Sequence, residues 1–399
     1  VTLSTFQRFV SGQTATYLSY HMLSVVIGWQ AYDLTGSPLV LGLVGLMQFL
    51  PQFLLTLAAG HVADSHDRRR ITASCQIIGA LLSALLSLGS LAGIMNEHVI
   101  LAAACLVGAA RAFEYPTMQA LLPTLVEAGE LPKCLAVSAG MRQLGVILGP
   151  ALGGVLYIAG PGAAYAVCAC FSLLAATAML SIRSKPAAPR REPVSWRSVL
   201  EGLTYIRSRP EILGAISLDL FSVLLGGATA LLPVFARDIL AIGPWGLGLL
   251  RSAPAAGAVA MSIFLARHPL KRRVGRTMFL AVATFGLATV VFGLSRSFAL
   301  SLAALIALGM ADMVSVVVRS SLIQLETPND KRGRVSAVNA VFIGTSNQLG
   351  EFESGLTAAW FGVVPAVVLG GVGTLLVVVL WMRLFPALLR RETLAARRS

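Results

Sequence analysis

Apolar runs of about 20 residues recur along the chain, each ended by a short polar or charged turn. A helix needs about 20 such residues to cross a hydrocarbon layer about 30 Å thick. Twelve runs of this kind are read, near residues 9–32, 38–63, 71–93, 98–120, 135–158, 163–182, 212–236, 246–266, 277–295, 298–318, 335–361 and 364–384. The first begins almost at once and is expected to act as its own insertion signal. The eleventh is the most polar, carrying Asn339, Asn347, Gln348, Glu351 and Glu353. The pattern predicts an all-α membrane protein of twelve transmembrane helices.

One segment breaks the rhythm. Residues 183–211 start rich in Pro and Ala and then turn amphipathic, with Trp196, Val199, Leu200, Leu203 and Ile206 at roughly helical spacing. This predicts a linker ending in an interfacial helix on the inner leaflet. It separates two bundles of six spans, 1–182 and 212–384, and a basic tail follows over 385–399. The halves echo one another. Gly149–Gly154 and Gly350–Gly355 open alike with glycine, and the basic triplets Arg68–Arg70 and Lys271–Arg273 recur at nearly the same interval.

Composition excludes a water-soluble globule: 56% of the 399 residues are hydrophobic and only 12% charged, against about 25% charged in soluble domains. The net charge of +13 would suit a nucleic-acid binder, but the charges sit in short loops between spans. Of the 31 lysines and arginines, 26 fall at the termini and in the loops joining even-numbered to odd-numbered spans. Arg319 is counted among them; the opposite loops hold only Arg237 and Arg296. The positive-inside rule then places both termini in the cytoplasm, as an even number of spans requires. The five cysteines are scattered, without metal or disulfide spacing. The five histidines form no catalytic cluster, no phosphate-binding Walker loop occurs, and no loop is large enough for a soluble output domain. A membrane enzyme, an ATP-driven pump and a signalling receptor are thereby disfavoured.

Charged and polar residues inside spans are the natural candidates for function, because a charge in hydrocarbon needs a partner or a wet cavity. Arg111 and Glu114, three residues apart on one helix face, are expected either to tune a proton site or to form a static pair. Asp219 stands alone in the seventh span and suits reversible protonation; a solvated position near the end of the span is the alternative. Glu351 is a further proton-coupling candidate. Asp312 and Arg319 read as an interdomain latch. Gln13, Tyr17 and His21 repeat every four residues in the first span, and Gln48 and Gln52 do so in the second. With Asn339, they are candidates to line a substrate cavity, the glutamines serving equally well in helix–helix hydrogen bonds. Arg142 and Arg251 would make that cavity positive and congenial to anionic or catecholate ligands. Trp29 and Tyr32 read as interface anchors. Gly145, Gly149 and Gly153 share a helix face beside Pro150 and Gly154, which suits close packing and a bend.

Several stretches resemble the major facilitator superfamily. Gly60, Asp64, Arg68 and Arg69 match its loop signature, while Val62, Ser65 and Asp67 depart from it. Gly145, Gly149, Pro150, Gly153 and Gly154 match a signature that the superfamily associates with antiporters. Three further stretches, Trp29–Leu39, Gly108–Pro123 and Thr327–Val335, together with Trp196–Leu203, resemble its bacterial enterobactin-exporter branch.

The resemblance implies a monomeric inner-membrane exporter working by alternating access of two bundles, with a small-molecule substrate and surrounding lipid as its partners. It implies a proton gradient as the driving force, with no cofactor, metal or nucleic acid. The loop at Gly60, Asp64, Arg68 and Arg69 would gate the cytoplasmic side. A siderophore or similar secreted molecule is the expected substrate. A multidrug or macrolide efflux pump is the alternative, and a lysophospholipid transporter a lesser one.

Overall fold

The protein is described here by a computed structural model covering residues 3–127, 129–182 and 196–394, without the side chains of 3, 4, 57, 61, 63, 64, 196–199, 329, 330 and 337. The Pro/Ala-rich part of the linker and the side chain of Asp64 therefore lie outside the described residues. Fifteen α-helices follow one another among those residues, with no strand. They are α1 (Leu3–Thr35), α2 (Pro38–Ser65), α3 (Arg68–Leu91), α4 (Glu97–Leu125), α5 (Leu131–Tyr157), α6 (Pro161–Leu180), α7 (Trp196–Arg207) and α8 (Pro210–Leu225). Then come α9 (Leu232–Val234), α10 (Gly243–Arg267), α11 (Val274–Leu294), α12 (Phe298–Glu326), α13 (Asn329–Phe361), α14 (Val363–Leu384) and α15 (Pro386–Leu389).

Ten helical segments are long and apolar enough to cross a bilayer, so this is a multi-pass membrane protein. The first and eleventh of the expected spans are absent from that set. Both exist as unbroken helices of 33 residues, α1 and α13. What sets them apart is polarity: α1 carries Gln7, Arg8, Gln13, His21 and Gln30, and α13 the amides and acids already noted. Polar groups are tolerated at membrane depth only against protein or a wet cavity, so such helices are less apolar than lipid-facing ones.

The chain divides into two compact units, one of residues 1–194 and 241–252 and the other of 195–240 and 253–399. In the first, α1 packs on α5 and α6, α2 on α4, and α3 on α4 and α6. Local chemistry starts these helices cleanly. The carboxylate of Asp67 accepts the Arg69 amide at 3.0 Å to cap α3, and Asn96 caps α4 in the same way. Phe9, Tyr17, Met118, Leu121 and Met179 form the buried core. Where α2 meets α4, a Cβ on Gly108 would collide with the Gln48 carbonyl, so only glycine allows that approach.

In the second unit α11 packs on α12 and α14, and α8 on α13 and α14. Leu218, Met278, Phe279, Leu322 and Trp381 are central to its core. The seventh span is broken. α8 stops at Gly226, and a 3₁₀ turn, the short α9 and a π turn at Phe235–Ile239 carry the chain onward. At the break a Cβ on Gly227 would fall 2.5 Å from the Gly350 carbonyl of α13.

The amphipathic segment does form a helix; the side chains of Trp196 and Val199 lie outside the described residues, and Leu203 and Ile206 are covered by protein. Ile206 is fully buried with Ile212, Ile323, Val335 and Val338, and Leu203 packs against that cluster. Leu200 remains 60% exposed. The aromatic pair expected at the membrane interface is also inside: Trp29 and Tyr32 are buried, and Trp29 meets the Tyr157 ring edge-on at 6.1 Å. Neighbouring helices cover these rings, which a hydropathy pattern alone does not reveal.

Candidate functional site

Three arginines of the first unit converge on one face of α1. That face presents Tyr17, Tyr20, His21 and Ser24, residues three or four apart and so stacked along the helix. From α4, the Arg111 guanidinium lies 4.2 Å from the Tyr20 ring centre and 5.4 Å from that of Tyr17. The Tyr115 ring is 5.9 Å away. From α5, Arg142 donates a hydrogen bond to Tyr17. From α10, Arg251 donates to the Ser24 hydroxyl at 3.1 Å. The positive charges of Arg111 and Arg251 both bear on the His21 ring, which stacks on Tyr17 and meets Tyr20 edge-on. A desolvated cation over an aromatic face is stabilised by about 2 kcal/mol, so the rings help hold Arg111 in place.

The acid in this cluster is Glu114. It accepts from Arg111 at 3.2 Å and also meets Gln76 of α3. Gln76 donates in turn to Thr16 at 2.8 Å, while its carbonyl oxygen is buried without a partner among the described residues. Glu114, Gln76, Arg111, Tyr20, Ser19 and Cys75 line a cleft of about 50 Å³, room for a few water molecules. The carboxylate is thus buried, paired and next to a small cleft that Leu23, Ile78, Leu82, Leu106 and Val107 make mostly apolar. Gln76 is missed by a reading of the chain for charges, although its neutral amide is what ties the acid to α1. Gln13 points elsewhere: it accepts from Ser138 of α5 at 2.7 Å, a helix–helix bond. Gln48 and Gln52 of α2 are half-buried and belong to another helix pair.

The glycines of α5 form the seam on which this face rests. Added Cβ atoms on Gly145 and Gly149 would lie 2.6 and 2.7 Å from the Cβ atoms of Tyr17 and His21, and one on Gly153 would meet Met22. Gly154, turned by one residue, faces Gly248 of α10. Close approach thus places α5, which bears Arg142, against α1, and α10, which bears Arg251, against α5.

The charged turn between α2 and α3 is also tied within this unit. Arg68 donates to the Ala120 carbonyl at 3.1 Å and Arg69 to that of Ile182 at 2.6 Å, near the ends of α4 and α6. Asp67 accepts from Arg69 and lies 3.6 Å from Arg70. Gly60 is in α2, where a Cβ would meet open space.

In the second unit Asp219 is not alone. Arg319 of α12 forms an ion pair with it, and Ser315 donates to its other oxygen at 3.2 Å. Both ionic groups are buried, at 5% and 2% exposure. Two expectations change together: Asp219 is paired, and Arg319 is buried in α12 rather than a loop residue. The low-dielectric interior requires each charge to find its opposite, and packing α8 against α12 supplies it. Along α13, Asn339 and Gln348 each hold a buried carbonyl oxygen with no partner among the described residues, and Glu353 accepts from Thr357. Glu351 is half-buried on the same helix. The start of the basic tail is anchored as well. Arg391 pairs with Glu211 and Glu326, and its carbonyl accepts the Gly275 amide at 2.9 Å.

Long apolar helices enclosing buried ionic and aromatic clusters define a polytopic helical membrane protein. A sequence model of the Major Facilitator Superfamily matches residues 9–350, and the chain belongs to that transporter family. The enterobactin exporter EntS of Citrobacter koseri is 25% identical over 391 residues, 96% of this chain and 91% of the relative. Macrolide efflux protein A of Streptococcus pyogenes is 21% identical over 365 residues, 90% of each chain. Among solved structures, the nucleoside transporter NupG aligns with a TM-score of 0.73 at 13% identity, over 95% of this chain and 98% of that one. A bacterial homologue of the human lysosomal transporter Spinster, inward-facing and occupied, aligns with a TM-score of 0.74 at 13% identity, over 96% of each. These two likenesses are of fold.

Proposed function

We propose that the protein is a secondary active exporter of the inner membrane. It moves an anionic, aromatic small molecule of siderophore type out of the cell by alternating access in exchange for protons. Twelve spans, α1 and α13 included, would leave both termini in the cytoplasm. The observation that carries this reading is the convergence of Arg111, Arg142 and Arg251 on the Tyr17–Tyr20–His21–Ser24 face, with Glu114 as the acid among them. Guanidinium forks match oxyanions, and aromatic walls stack on a ligand ring. Glu114, the buried acid among these arginines, is the carboxylate we assign to proton exchange. The likeness to an enterobactin exporter over most of both chains supports export and an iron-chelating substrate. The α5 glycine seam, with its antiporter-type signature, supports exchange.

A second reading, multidrug or macrolide efflux, is supported by the likeness to macrolide efflux protein A over 90% of both chains.

Everted vesicles with an acidified lumen and a pH-sensitive dye separate the two. Adding a catechol siderophore is expected to collapse the gradient in vesicles containing the protein and not in empty ones. Glu114→Gln is expected to abolish that proton movement while leaving substrate binding in place. Collapse by a macrolide and not by the catecholate would favour the second reading. No collapse by either, with folded protein present, would remove proton antiport.

A further inference from the structure

A groove of about 590 Å³ lies between α7 and the first turns of α13, and the transport reading makes no use of it. Leu200, Tyr205, Ser208, Lys331 and Arg334 line it, with Glu201 at one side. Gly202 allows the two helices to meet there, since a Cβ would stand 2.8 Å from the Arg334 carbonyl. Tyr205 is held in place by its hydroxyl, which donates to the Glu326 carbonyl at 2.9 Å.

Two cations share the Tyr205 ring. Lys331 Nζ lies 5.3 Å from its centre and the Arg209 guanidinium 5.9 Å. Arg334 is engaged by Glu201 at 2.6 Å, whereas Lys331 and Arg209 have no acidic partner among the described residues. Like charges gathered on one ring repel each other, and an anion between them removes that cost. Position identifies the anion's source. Two candidate spans end here, one beginning at Pro210 and another finishing at Glu326, so the groove opens at the level of the bilayer surface. Leu200, 60% exposed, offers an apolar contact at its edge. Basic pockets at the ends of membrane helices suit phosphate headgroups.

We propose that this groove binds the phosphate of an anionic phospholipid, with Lys331 as its ligand, the Arg209 charge close by on the same Tyr205 ring, and Leu200 against the upper acyl chain. The full-length protein in phosphatidylcholine nanodiscs, titrated with phosphatidylglycerol and read by native mass spectrometry, tests this. Phosphatidylglycerol is expected to be retained over phosphatidylcholine, with retention falling about fivefold for each charge removed in Lys331→Gln and Arg209→Gln. Glu201→Gln, which frees Arg334, is expected to raise retention, and Lys331→Arg to preserve it. Equal retention of the two lipids by the unaltered protein would overturn the proposal, as would unchanged retention in the double variant of matched melting temperature. If inorganic phosphate alone raised the melting temperature as much as phosphatidylglycerol, the anion would come from solution and the lipid assignment would fall.

Discussion

Asp219–Arg319 and Arg111–Glu114 are buried pairs of the same chemistry in different surroundings. The first is closed in by Ser315 and packed side chains, while the second adjoins aromatic rings and a small cleft. Removing one member of a buried pair leaves an uncompensated charge, which costs about 3–5 kcal/mol. Asp219→Asn alone is therefore expected to lower the thermal melting temperature in detergent markedly. Combining it with Arg319→Gln should recover most of the loss. If Asp219→Asn instead melted like the unaltered protein while losing proton exchange, Asp219 would be the proton carrier. One pair was legible in the chain and the other was not. Arg111 and Glu114 are three apart, so helix geometry alone joins them. Asp219 and Arg319 lie on helices that only packing brings together.

At the scale of elements, glycine decides which helices come closest. α5 approaches α1 through Gly145, Gly149 and Gly153, and α13 approaches α8 through Gly350, where a Cβ would stand 2.9 Å from the Leu224 carbonyl. The echo between 149–154 and 350–355 thus corresponds to a similar seam in each unit, from the fifth span of a bundle to its first. Gly149→Val would drive methyl groups into His21 and Met22. Overpacking of this kind costs about 1–3 kcal/mol, and the change also tilts the aromatic face that the arginines address. Membrane insertion is expected to persist, with a lower melting temperature and weakened transport in the vesicle assay. Full transport at an unchanged melting temperature would mean that the seam does not position the site. The break in the seventh span had a visible signal in Gly226–Gly227. Its extent, through a 3₁₀ and a π turn, depends on what packs against it.

For the whole molecule, the charge pattern predicts the orientation. The basic residues cluster in alternate loops, and a reporter fused to either end is expected to read cytoplasmic. Opposite locations for the two ends would require an odd number of spans and would remove either α1 or α13 from the membrane. Helical class and most span positions could be read from the chain. They rest on short-range physics: runs of apolar residues seek hydrocarbon, backbone groups there must close their own hydrogen bonds, and charges stay in water. What required the folded structure was every pairing across distance. Arg142 and Arg251 come to α1, Arg319 to Asp219, Arg391 to two glutamates, and Trp29 lies inside rather than at the interface. The physical reason is common to all of these. A buried charge or ring is stabilised by whichever neighbour close packing supplies, and spacing along the chain does not name that neighbour.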